Sequence, residues 1–211
     1  MKLADIRKDY TLRSLDSAEV PKDPIQLFHA WMQQALEAEV AEATAMCLST
    51  LGSDGFPNAR IVLLKGVDQG FVFFTNYQSA KGNELEKHPK AALTFFWPEI
   101  ERQIRIVGEV SKISEAASDT YFLSRPYSSQ LGAWASPQSQ VIGSREELEQ
   151  HQLEMEKQFM NQKMKRPSHW GGFQLIPNRL EFWQGRPSRL HDRIHYECLA
   201  SGSWKITRLA P

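Results

Sequence analysis

Cysteine is nearly absent: of 211 residues only Cys47 and Cys198 carry a thiol. They stand far apart and match no metal-ligand spacing, so no metal site is expected and no disulfide framework is indicated. Buried free thiols in a reducing compartment follow, and the expected location is the cytoplasm. An excess of either charge is missing too. Lys plus Arg number 25, Asp plus Glu 25, and the formal net charge is zero. That argues against broad capture of nucleic acid or an acidic membrane, though not against a local arginine cluster. No apolar run is long enough to span a bilayer, and the N-terminus has no signal-peptide pattern. No His-Glu-x-x-His, no Gly-x-Ser-x-Gly and no evident carboxylate pair occurs, which sets aside zinc-peptidase, serine-hydrolase and glycosidase chemistry. Internal repeats, low-complexity stretches and an interdomain linker are lacking.

What is present suits one ordinary globular domain: 41% apolar and 24% charged residues, in a chain long enough for its own core. Residues 1–22 are polar and aperiodic and read as a flexible N-terminal arm, with Arg7 and Tyr10 its notable polar anchors. A disordered tail is the plain alternative. Residues 23–211 read as a single domain. Asp23-Pro24 opens a helix in which Leu27, Phe28, Trp31, Ala35 and Leu36 form an apolar stripe. The period then changes to that of strands at 45–51, 59–65, 70–75, 91–97 and 102–113, with a hairpin turn at 52–55. Ser79 caps a helix that Pro89 stops, and Ser114 caps another that ends before Pro126. Residues 131–144 read as loop. Ser144-Arg-Glu-Glu147 is a capping box for a surface helix to about residue 162. Strands at 174–176, 179–183, 195–199 and 204–209 close the chain. The fold class is mainly β with peripheral helices (α+β), as an antiparallel barrel or sandwich.

Cations gather at the ends of these elements. Arg60 and Lys65 bracket the apolar strand Ile61-Val62-Leu63-Leu64, on opposite faces and far enough apart for an elongated ligand or two adjacent ones. Snorkelling from strand ends is the plain reading of the same pair. Lys81 follows a helix N-terminus, a place that favours phosphate, but without the glycine spacing of a phosphate loop. Tyr121, Arg125, Ser128 and Ser129 offer a phenol, a guanidinium and hydroxyls to an oxyanion, or simply cap a helix end. Near the C-terminus Arg189, His191 and Arg193 recur at every second position, which on an extended segment puts them on one face. They bind an anion there or protect a sheet edge. Together with Tyr121 and Trp183, these cations suit a flat aromatic ligand bearing a phosphate.

The same residues carry a resemblance. RIVLLK (60–65), TN (75–76), ERQ (101–103), YFLSRP (121–126), SQLGAW (129–134), QS (138–139), WGGF (170–173), EFWQG (181–185), RLHDR (189–193) and WKITRLAP (204–211) stand in order along nearly the whole chain. In these motifs the chain resembles the pyridoxine/pyridoxamine 5′-phosphate oxidases. The resemblance implies an FMN-binding split β-barrel, working as a homodimer with the flavin between subunits. It implies FMN contacts from Arg60, Ile61, Val62, Leu63, Leu64, Lys65, Phe74, Thr75, Lys81, Gln103, Gln138, Ser139, Trp183 and Arg193. It implies a substrate phosphate held by Lys65, Tyr121, Arg125 and Ser129, with Arg189 and His191 at the reacting side and Arg7 and Tyr10 folding over. The implied reaction takes hydride from the C4′ carbon of pyridoxine or pyridoxamine phosphate, with dioxygen as final acceptor. Arg189 would orient substrate; whether His191 positions or moves a proton stays open. Two positions depart from the family pattern: Ala80 where a basic residue is frequent, and Phe74 where tyrosine is. A flavin reductase on the same barrel, or a non-catalytic FMN or pyridoxal phosphate carrier, are the rival expectations.

Overall fold

A computed structural model of the chain describes residues 9–160 and 162–211. Helix α1 (Pro24–Glu37) begins where the Asp23 carboxylate accepts the Ile25 amide, with proline in the first turn. Leu27, Phe28, Trp31 and Ala35 are buried as their spacing predicts, whereas Leu36 is 54% exposed. Strands β1 (Ala45–Leu51), β2 (Pro57–Leu63), β3 (Gly66–Val67) and β4 (Phe71–Asn76) follow. Helix α2 (Ala80–Lys87), β5 (Lys90–Trp97) and β6 (Arg102–Lys112) come next.

All strand pairs are antiparallel, in the order β2-β1-β5-β6-β7-β4-β3, where β7 is the long strand Trp170–Gln184. The strand expected at 59–65 changes partner near its end. Leu64 still gives its amide to Thr44 on the β1 side at 2.9 Å, but Lys65 gives its own to Val72 of β4 at 2.8 Å. One stretch of chain, from β2 into β3, thus borders both ends of the sheet and curls it into a split barrel. The barrel is filled by Phe71, Phe73, Leu93, Phe95, Ile104 and Phe182, all fully buried. Helix α1 lies over it, with Phe28 4.9 Å from Phe71 and 5.3 Å from Phe95 between ring centroids, and Trp31 5.2 Å from Phe182.

The two strands expected at 174–176 and 179–183 are one. A register shift between Val107 and Gly108 of β6 leaves Asn178 unpaired next to Pro177, which cannot donate to a ladder. Strand β8 (Asp192–Cys198) pairs with β7, and β9 (Trp204–Leu209) with β8, as a hairpin extending the sheet.

Helix α3 (Glu115–Ser124) is capped by Ser114 as expected. The loop expected from 131 is corrected: α4 (Tyr127–Ala135) continues through it, burying Leu131, Ala133 and Ala135. Helix α5 (Arg145–Phe159) begins at Ser144, which accepts the Glu147 amide, while Glu147 reaches back to the Gly143 amide at 2.7 Å. These helices share a second apolar cluster of Phe122, Leu131, Phe159, Met164 and Trp170. The arm is anchored along its described part. Leu12 gives its amide to Glu101, Leu15 to Asp192, and the Pro21 carbonyl accepts the Tyr196 hydroxyl. Arg7 lies outside the described residues.

Candidate active site

Curling of the sheet brings the cationic strand ends against the helices. Arg60, Ile61, Val62, Leu63 and, beyond β2, Lys65 line one open cleft of about 680 Å³ with Phe74 and Thr75 of β4 and Lys81 of α2. The facing wall is Tyr121 of α3, Arg125 and Pro126 after it, Ser129 of α4, and Gln138 and Ser139 of the following loop. Trp170 completes the wall, a residue that the sequence motif contained but to which no role was attached. Arg60 and Lys65 start on opposite faces of one strand, yet both reach this cleft, because the chain bends to its new partner at Lys65.

Among the described residues, three cations of the cleft, Lys65, Lys81 and Arg125, make no ion pair. The Nη1 atom of Arg125 is buried with no hydrogen-bond partner among the described residues. Its guanidinium lies 4.5 Å from the Trp170 ring centroid, and Trp170 is nearly parallel to Phe74 at 5.4 Å. Tyr121 stacks on Phe74 at 3.8 Å and 20°. Burial lowers the Arg125 pKa, with Tyr121 opposing, and burial raises that of the Tyr121 phenol. Lys81 is 9% exposed, and its ammonium has only neutral acceptors: Thr75 Oγ1 and Ser79 Oγ at 3.3 Å, Gln138 Oε1 at 3.4 Å. Burial, then the charge of Arg60, push its pKa down. A phosphate would fill the open donor of Arg125 and replace the neutral acceptors of Lys81 with an anion.

Arg60 itself is partnered. Its Nη2 lies 3.0 Å from Glu84 Oε2, and its Nη1 meets Thr50 Oγ1. Burial would raise the Glu84 pKa, but hydrogen bonds from Thr50 and Asn58 and the Arg60 charge outweigh it and hold the carboxyl low. Glu84 went unnoticed in the sequence because nothing local links it to Arg60, 24 positions away.

The remaining predicted residues lie elsewhere. Leu64 is 7% exposed and belongs to the barrel core, so only its backbone can face a ligand. Gln103, Trp183 and Arg193 are cross-strand neighbours on β6, β7 and β8. Glu181 grips Arg193 with two hydrogen bonds of 3.0 Å, from Nε and Nη2, and thereby raises its pKa; Nη1 donates to the Ala210 carbonyl at 2.8 Å. His191 lies against Trp183 at 4.6 Å and Tyr10 at 5.9 Å.

The expectation that Arg189, His191 and Arg193 share one extended face is corrected. Pro187–Arg189 forms a short 3₁₀ turn, with Ser188 and Arg189 at φ of 56° and 61°, and β8 starts only at Asp192. Arg189 is exposed, His191 and Arg193 half-buried. The chain therefore carries two groups: the cleft, and a patch of Tyr10, Gln103, Trp183, His191 and Arg193. One outward sheet face joins them. Ile61, Cys47, Thr94, Arg105, Glu181, His195 and Thr207 follow each other across seven strands, with Phe96 beside Gln103 on the same side. Ile61 is 66% and Phe96 52% exposed on that face.

Comparison with known proteins fits this arrangement. Residues 32–159 match the family model described as pyridoxamine 5′-phosphate oxidase, and residues 170–211 that of the pyridoxine 5′-phosphate oxidase C-terminal dimerisation region. The pyridoxine/pyridoxamine 5′-phosphate oxidase of Synechocystis sp. is 57% identical over 210 residues, 99% of this chain and 98% of that one. That of Cupriavidus pinatubonensis is 53% identical, covering 99% of each. Among solved structures, PhzG from Burkholderia lata, crystallised with tetrahydrophenazine-1-carboxylic acid, superposes with a TM-score of 0.88 at 31% identity, over 95% of this chain and 100% of that one. A pyridoxamine 5′-phosphate oxidase-related, FMN binding protein from Nostoc punctiforme shares the fold at 17% identity, with a TM-score of 0.72 over 90% of this chain and 98% of that one. With both family regions matched in order and more than half of the residues identical to a full-length relative, the chain belongs to the pyridoxamine 5′-phosphate oxidase family.

Proposed function

We propose that this protein is an FMN-dependent oxidase that converts pyridoxine 5′-phosphate or pyridoxamine 5′-phosphate to pyridoxal 5′-phosphate. It works in the cytoplasm, as a homodimer with each flavin between two copies. The observation that carries this reading is the unpartnered Arg125 guanidinium, which faces a cleft that also holds Lys65, Tyr121 and Ser129. Those four hold the substrate phosphate. Lys81, Thr75 and Ser139 with Gln138 receive the flavin phosphate, and Arg60 supports them with its charge partly offset by Glu84. Ala80 supplies no cation at this point, so Lys81 carries more of the task. The match to a dimerisation region supports a homodimer. A second copy then brings its own Gln103, Trp183 and Arg193 to the flavin, and its Arg189, His191 and Tyr10 to the substrate, with Arg7 joining from the arm.

Bound FMN would supply the redox chemistry, a two-electron oxidation of the substrate C4′ carbon with dioxygen as final acceptor and hydrogen peroxide as by-product. The chain's residues bind and orient the substrate. The pyridine ring is placed by its phosphate at one end and by Arg189 at the other, so that Arg189 orients the substrate for loss of hydride. The left-handed backbone at Ser188 and Arg189 is a strained conformation of the kind that accompanies such a role.

Purified protein loaded with FMN should be yellow, consume oxygen with pyridoxine phosphate, and form an aldehyde. Turnover only with a nicotinamide donor would instead mark a reductase, and bound flavin without any turnover would mark a carrier. Replacing Arg189 with Ala or Met should lower turnover more than FMN binding; unchanged turnover would remove it from the catalytic set.

A further inference from the structure

An imidazole beside a substrate can take a proton, give one, or only hold a hydrogen bond, and its tautomer decides which. The Nδ1 atom of His191 lies 3.1 Å from the backbone nitrogen of Arg186. A backbone N–H only donates, so Nδ1 is the acceptor and its lone pair is used there. The neutral ring then carries its proton on Nε2. The backbone on both sides of that amide is held: Gly185 gives its own N–H to the Glu101 carbonyl at 2.7 Å, and Leu190 closes the next turn on Pro187 at 3.1 Å. Two aromatic neighbours set the ring plane, Trp183 at 45° and Tyr10 at 62°. Turning the ring over would put a carbon against the Arg186 amide and leave that donor without its acceptor.

We propose, resting on the oxidase reading above, that His191 meets the substrate as an Nε2–H hydrogen-bond donor in a locked tautomer, and not as a base. To accept a proton at Nε2 the ring would need its hydrogen on Nδ1, which would set two N–H groups against each other across 3.1 Å. Imidazolium formation meets the same obstacle. The charged and titratable neighbours agree. Arg189 and Arg186 are cations on the same turn, and Tyr10 approaches from the arm. The Asp192 carboxylate is already taken by Arg208 at 2.7 Å and the Leu15 amide at 3.1 Å. Burial and then Arg189 lower the pKa of the ring, which keeps it neutral at neutral pH. The Nε2–H donates to the hydroxyl oxygen of the alcohol substrate, or to the nitrogen of the neutral amine, and so holds the substituent in place, while the substrate's own proton passes to solvent water and not to the ring.

Nitrogen-15 NMR of the FMN-loaded protein at mildly alkaline pH reads the tautomer directly, with the His191 signals identified by their loss in His191→Asn. A pyridine-type Nδ1 and a pyrrole-type Nε2 are expected; the reverse pattern overturns the proposal. This readout needs no turnover, so it is decided separately from the oxidase reading, which fails if the wild-type protein consumes no oxygen with pyridoxine phosphate. In the kinetic arm His191→Gln restores an N–H donor but cannot act as a base. It should stay within about tenfold of wild-type turnover, whereas His191→Ala should lose roughly 10²–10³-fold. If both variants keep their flavin and Gln falls as far as Ala, the donor role is overturned.

Discussion

A guanidinium N–H buried without an acceptor costs roughly 1–3 kcal/mol, and Arg125 holds one at Nη1 beside the ring of Trp170. A phosphate would remove that cost and take up the planar fork, which lysine cannot imitate. Arg125→Lys should therefore raise KM for pyridoxine phosphate by roughly ten- to a hundredfold and leave kcat and flavin content nearly unchanged; steady-state kinetics checks it. Lys81 gives a pH prediction. Its pKa is depressed in the free protein, chiefly by burial, and a bound phosphate raises it again. Above the depressed value FMN must bring a proton with it, so FMN affinity should fall as pH rises through that range, and Lys81→Met should abolish this limb in flavin titrations. Glu181 makes no contact with the cleft but fixes the Arg193 fork by two 3.0 Å bonds. Glu181→Gln should weaken FMN binding while leaving KM for substrate largely in place, a split that equilibrium flavin titration and kinetics resolve together. Arg60, Lys65 and Arg125 were legible in the sequence because they stand in the distinctive runs RIVLLK and YFLSRP, and Lys81 because it follows a capped helix start. Glu84 and Glu181 were not, because a carboxylate that acts by holding an arginine 24 or 12 positions away leaves no local pattern.

Elements were legible where burial follows one period and illegible where the backbone turns for tertiary reasons. The Asp23-Pro24 and Ser144 helix starts could be read directly, since capping is a local interaction. Helix α4 was hidden: Pro126 looks like a stop but also starts the next helix, and Gly132 with its small neighbours imitates a loop. Gly185 and Pro187 announce a turn, but its extension through Arg189 was hidden, because neither serine nor arginine announces a positive φ. Gly108 is where an element depends on one residue. A methyl group there would lie 2.0 Å from the Ile176 carbonyl oxygen, at the point where the β6–β7 register shifts around Pro177. Gly108→Ala should destabilise the protein by about 1–3 kcal/mol and lower Tm by roughly 2–4 °C for each kcal/mol. Flavin affinity measured well below that Tm should be nearly unchanged, since Gly108 lies outside both halves of the site.

At the scale of the whole molecule, the cleft and the patch around Trp183 and His191 stand apart within one chain. The cleft lies where the curled sheet brings β2 and β4 together, while Gln103, Trp183 and Arg193 stand side by side on β6, β7 and β8 on the outward face. Strand alternation made that face readable strand by strand. The register that lines Ile61 up with Cys47, Thr94 and Arg105 came only from the fold, because pairing partners are not written in alternation. Phe96 is the sharpest probe of this arrangement. It is 52% exposed, sits beside Gln103, and lines neither the cleft nor the aromatic patch around His191. A carboxylate placed there stays solvated in a single chain but would be buried unpaired against a second copy, which is costly. Phe96→Asp should therefore yield a folded monomer that has lost FMN, with dissociation and flavin release following the same dependence on protein concentration. Sedimentation velocity with simultaneous flavin absorbance measures both. A monomer that keeps flavin at wild-type affinity would show that one chain holds the whole site, and the division of labour between two copies would be wrong.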